Sequence, residues 1–150
     1  MLILYLVQMS RKQPRGIRNN NPGNIRIGSS NWKGKIPNHQ NTDGEFEQFE
    51  HMEYGIRAMA KLIKKYMSTQ RGDTLRDIIN TYAPPSENHT SAYVDIVSKS
   101  ADIPADIPTH EWFYKDGVLV DLLDAMIYQE NGKRVSRAVI EKGIDLAKIY

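Results

Sequence analysis

A glutamate closes the apolar segment LLDAMIYQENG, Leu122 to Gly132. Leu119, Leu122, Leu123, Met126 and Ile127 recur at helical spacing, and the next step of three lands on Glu130. A carboxyl group in line with a buried stripe is desolvated, which disfavours its charged form. The partial negative charge of a helix C-terminus disfavours that form again. A carboxylic acid that keeps its proton near neutral pH suits a general acid, which protonates a leaving oxygen. The plainer alternative is a helix C-cap: Glu-Asn-Gly, with Gly132 in the left-handed position and Glu130 swung into solvent.

Further carboxylates accompany it. Glu87, in PPSENHT, stands just before an expected helix, where acids are welcome at the positive end. That environment suits a base or a substrate-binding group better than an acid, with Ser86 beside it as a substrate contact. Glu45 and Glu47 alternate with Phe46 and share one expected strand face, next to Asp43. Such a group is ordinarily a solvated face. In its functional form Glu45 is a second carboxylate across a cleft, stabilising an oxocarbenium-like transition state or activating water.

Asn19, Asn20, Asn21 and Asn24 fit side-chain-held turns, and Asn24 is also a candidate to bind an amide group of a substrate. Trp32, Phe49, Tyr54, Tyr82, Tyr93 and Trp112 are core or loop anchors by type. Trp32 and Tyr93 are the strongest candidates among them for stacking on a ligand ring, with Phe49 a further substrate contact.

Other chemistries are excluded. There is no cysteine, and the four histidines lack ligand spacing, so no metal site is expected. No phosphate-binding loop, dinucleotide fingerprint or nucleophile elbow calls for a cofactor. A net charge of +2 is too weak to argue for nucleic acid. The apolar run Leu2 to Val7 is too short for a membrane span and lacks the marks of an export signal. Met9 offers an alternative start, residues 1–14 read as a peripheral arm, and the basic run RKQPRGIR, residues 11–18, reads as solvated or as a weak, salt-sensitive attractor of an anionic polymer.

The elements that must position these groups belong to one α+β domain, mainly helical, over residues 1–150. Residues 10–50 are rich in turn signals, with NIRIG and EFEQF as strand-like pieces of a small hairpin or three-stranded sheet. Helices are expected over about Glu53–Thr69, from Thr74 onward, after APPSENHT, over Val118–Glu130 and over Ser136–Ile149. Thr74 and Asp77 form a capping-box pattern ahead of Leu75, Ile78, Ile79 and Tyr82. Tyr93, Ile96 and Val97 are expected to face inward from the third helix.

LLDAMIYQENG resembles the segment of lysozyme-like enzymes in which an apolar helix ends on Glu-Ser/Asn-Gly. In lytic transglycosylases and autolysin-type glucosaminidases that helix carries the catalytic acid. NNNPGNIRIGSSNWKG, EFEQFEHMEYGIRAMAKLIKKY and TYAPPSENHTSAYVDIV resemble later segments of the same enzymes, with Tyr93 in the place of their tyrosine. The order differs, because there the glutamate helix comes first and here it comes last. The resemblance therefore implies a circularly permuted lysozyme-like fold. It extends to small phage and prophage proteins, described as virion structural proteins or wall hydrolases, over about residues 15–147.

What the resemblance implies is a peptidoglycan glycosidase with Glu130 as general acid. The alternative is a non-catalytic structural or wall-binding phage protein on the same scaffold. Its expected partners are peptidoglycan and other virion proteins. The expected location is the bacterial cytoplasm or a phage particle, with action on the wall after delivery.

Overall fold

The computed structural model describes residues 13–150. The expected arm lies outside them except for Gln13 and Pro14, as does the apolar run Leu2 to Val7. Within them the chain forms α1 (Arg15–Arg18), α2 (Met52–Met67), α3 (Leu75–Tyr82), α4 (Thr90–Ala101), α5 (Val118–Asn131) and α6 (Arg137–Ala147). No helix among the described residues is long and apolar enough to cross a membrane.

The helices follow from local patterns. Ile56, Met59, Ala60 and Ile63 recur every three or four residues and give α2 one buried face. Gly143, Ile144 and Ala147 do the same for α6, which packs along α2. Gly143 permits the approach, since a Cβ there would sit 2.5 Å from Ile56 Cγ2 and 3.0 Å from the Glu53 carbonyl oxygen. The α3 capping box forms as expected. The Asp77 amide donates to Thr74 Oγ1 at 3.2 Å, and the Thr74 amide donates back to Asp77 Oδ2 at 3.1 Å. Beyond α3, Pro84 and Pro85 lack the amide hydrogens that would continue it.

Helix α5 is the centre of the core. Leu119, Leu122, Leu123, Met126 and Ile127 are all fully buried, each contributing about 1.5–3 kcal/mol of apolar burial. Helix α4 packs against it through Tyr93, Val94, Val97 and Ala101. Ile96, expected to face inward, is 43% exposed, and Val94 takes its place. The stripe is centred between Tyr93 and Val94, which leaves Ile96 on its flank.

The expected hairpin or sheet is corrected: the described residues contain no β-strand. NIRIG and EFEQF do meet antiparallel, but only at one isolated bridge, Arg26 with Phe46, and EFEQF makes a second with Lys35 through Phe49. The physical reason is competition from side chains. Asn21 accepts from the Ile25 amide at 3.0 Å and donates to the Ile25 and Glu47 carbonyls at 2.9 Å each. Short polar side chains that bond the backbone in this way displace a regular ladder.

Candidate functional site

Helix α5 ends where Gly132 turns left-handed, at φ 65°, its amide donating to the Tyr128 carbonyl at 2.8 Å. Glu130 stands just inside that end. It does not swing into solvent. The Asn24 amide group, more than a hundred residues earlier in the chain, donates to Glu130 Oε1 at 3.0 Å. The next residue, Asn131, donates to the Pro22 carbonyl at 2.7 Å and to the Ile127 carbonyl at 2.9 Å. The last turn of α5 is thus pinned to the Asn-Pro-Gly turn near the start of the described chain.

That turn is shaped to receive it. Asn24 adopts φ 50°, a left-handed conformation that asparagine tolerates better than most residues. Gly23 leaves room for the Tyr82 hydroxyl, and a Cβ there would strike both Tyr82 and Met59. The Tyr82 hydroxyl donates to the Gly23 carbonyl at 2.5 Å. Tyr93, from α4, brings a buried hydroxyl beside Glu130. It closes no hydrogen bond of ordinary geometry but lies near enough to favour the carboxylate's charge.

These neighbours set the electrostatics. Burial pushes the Glu130 carboxyl above its ordinary range, against the downward pull of Asn24 and Tyr93. Burial and the adjacent Glu130 charge hold the Tyr82 and Tyr93 phenols well above theirs, so both remain protonated donors. Glu130 and Asn24 open onto a cleft of about 560 Å³. Trp32, Phe46, Tyr66 and Tyr82 supply its aromatic wall, and Arg26 and Glu87 its other charged groups.

The structure therefore brings Glu130, Asn24, Trp32 and Glu87 to one cleft, with Tyr93 behind Glu130. It places the other candidates elsewhere. Glu45 is off the cleft wall, 63% exposed, and 3.4 Å from Arg15. Phe49 is buried in the core rather than open to a ligand. Ser86 is exposed on the turn before α4, away from the cleft wall. Glu87 is not a helix cap: it precedes α4 by a turn and pairs with Arg26 at 3.4 Å.

The expectation that Glu45 and Glu47 share a face is also corrected. Glu47 is fully buried and accepts from Lys35 Nζ at 2.8 Å, while Glu45 faces solvent. Lys35 also donates to the Gly28 and Ser30 carbonyls, at 3.2 and 3.3 Å, so the buried ammonium gathers the loop leading to Trp32. Asp43 is likewise structural. The Arg15 guanidinium, bonded through two nitrogens at 2.7 Å each, holds its carboxyl well below the usual range.

Sequence reasoning missed Arg26, Phe46 and Tyr66 on the cleft wall. Alternation about Ile25 and Ile27 is the signal that turns Arg26 outward, but nothing local says what it faces. Among the described residues no group of three or more histidine, aspartate or glutamate side chains converges as a metal site would require.

No family model matches the chain. Protein P5 of Pseudoalteromonas phage PM2 is similar to it, 34% identical over 121 residues that span 79% of this chain and 71% of the relative. A likeness of that level and extent is one of descent, and the chain belongs to the family of phage PM2 Protein P5.

Proposed function

We propose that this protein is a peptidoglycan glycosidase with a circularly permuted lysozyme-like fold, and that Glu130 is its general acid. The observation that carries the proposal is the state of Glu130: a carboxyl group raised by burial, held by Asn24, and open to a cleft. In this reading Glu130 gives its proton to the bridging oxygen between N-acetylated sugars as the C1–O bond breaks. The carboxylate left behind is stabilised by the Asn24 amide and the Tyr93 hydroxyl. Polar groups of the cleft wall position the acetamido group, Tyr93 acts only through Glu130 because it is buried behind it, and Trp32 offers a ring for a sugar face. Either water or the sugar's own hydroxyl attacks the anomeric carbon. Delivery by a phage particle brings the protein to the wall, in keeping with the phage relative.

A second reading keeps the scaffold and drops the chemistry: a phage structural or wall-binding protein. It is favoured by the second carboxylates, since Glu45 lies off the cleft and Glu87 is tied to Arg26. Digestion of purified peptidoglycan separates the two. The glycosidase releases muropeptides and its Glu130→Gln variant does not. Binding without release by the wild-type protein overturns the proposal.

A further inference from the structure

Arg26 stands out once the cleft's charges are compared. It is the sole cation among the described residues lining that cleft, where the other charged groups are Glu87 and Glu130. Its guanidinium lies over the Phe46 ring, 5.1 Å from the centroid. Arg15 lies over the same ring at 4.5 Å, but its guanidinium is committed to Asp43. Arg26 has only Glu87, at a long 3.4 Å, with both side chains about half exposed at 56% and 50%. An exposed pair of that kind is weak, so exchanging Glu87 for another carboxylate costs little. A planar guanidinium steadied on an aromatic face presents a fork of donors that matches a carboxylate.

We infer that Arg26 recognises a carboxylate on the substrate, so that the cleft takes an acidic glycan in preference to a neutral one. The inference rests on the glycosidase reading of the same cleft. On binding, the ligand carboxylate replaces Glu87 at the Arg26 guanidinium, and Glu87 turns to solvent. Two sources of the carboxylate share this chemistry: the acid substituent of the sugar itself and the peptide attached to it.

The test is calorimetric titration at low salt, in the Glu130→Gln protein so that no ligand is consumed. The probes are a disaccharide–tetrapeptide, the same disaccharide freed of peptide with its lactyl acid exposed, and a neutral N-acetylglucosamine tetramer. Arg26→Gln is expected to weaken at least one acidic probe about fivefold and to leave the neutral tetramer unchanged. The probe that loses affinity identifies the source. Glu87→Gln, which frees Arg26, is expected to tighten the same probe, which keeps the inference testable should the Arg26 variant misfold. An equal loss for acidic and neutral probes, or no change for any, overturns carboxylate recognition and leaves the glycosidase reading standing. Failure of all three probes to bind overturns both.

Discussion

Asn131→Ala probes the joint that builds the cleft. Asn131 is the last residue of α5, and its amide spans from the Ile127 carbonyl to the Pro22 carbonyl. Pro22 is buried, so truncation leaves its carbonyl oxygen away from water with its side-chain donor gone. An orphaned buried acceptor costs about 1–3 kcal/mol. The Asn131 Oδ1 atom is itself buried without a partner, and its removal offsets part of that loss. The expected net destabilisation is about 2 kcal/mol, a fall in Tm of roughly 4–8 °C for a domain of this size. Urea denaturation followed by far-ultraviolet circular dichroism measures it. Asn131→Asp sets an acceptor against an acceptor and is expected to lose at least as much at neutral pH. Asn88→Ala is the control: it removes a single exposed bond to the Pro84 carbonyl at 3.3 Å and is expected to cost less than about 0.5 kcal/mol. If Asn131→Ala is no more harmful than that control, the α5 end is not held by Pro22 and the joint has been misassigned.

Two other outcomes follow from buried charge. Lys35→Met leaves Glu47 buried without its cation and is expected to destabilise by about 3 kcal/mol in urea denaturation, with partial recovery in the Lys35→Met, Glu47→Leu double variant. Glu130 has a raised pKa in the folded protein, so folding favours its protonated form. The stability this gives is whole below the ordinary carboxylate range and is lost as pH rises through the raised value. Glu130→Gln is therefore expected to unfold at higher denaturant than wild type at about pH 7, with the advantage gone at about pH 3. An advantage independent of pH would contradict burial as the cause.

Much of the helical frame was legible because its signals are local. Thr74 and Asp77 lie three residues apart, and the Leu119-to-Ile127 stripe leads to Glu130 by period alone. The Asn-Pro-Gly turn was legible as a turn, since its residue types carry that conformation. Its partner was not: the Asn24–Glu130 bond depends on how α5 packs, which no window of sequence contains. Helix α4 shows the same limit on a smaller scale, where a stripe shifted by one residue exchanged Ile96 for Val94. Alternation failed in residues 41–50 because their backbone pairing is limited to short antiparallel bridges and side-chain partners decide which residues turn inward. Lys35 draws Glu47 inward, Arg15 holds Asp43, and Phe49 closes the core, so three residues read as a solvated or ligand-facing surface serve the loop's own structure. Arg26 and Tyr66 are ordinary residues in the sequence and gain meaning only from the cleft they share.

The most direct measurement is mass spectrometry of the fragments released from purified peptidoglycan by the wild-type protein and by Glu130→Gln. Cleavage of the glycan is expected from the wild type, with anhydro, reducing muramic acid or reducing glucosamine ends naming the bond and the attacking group. The Gln variant is expected to release fragments about a hundred- to ten-thousandfold more slowly while keeping its circular dichroism spectrum. Release by the Gln variant at the wild-type rate would contradict Glu130 as the acid, and no release by the wild type would contradict catalysis itself.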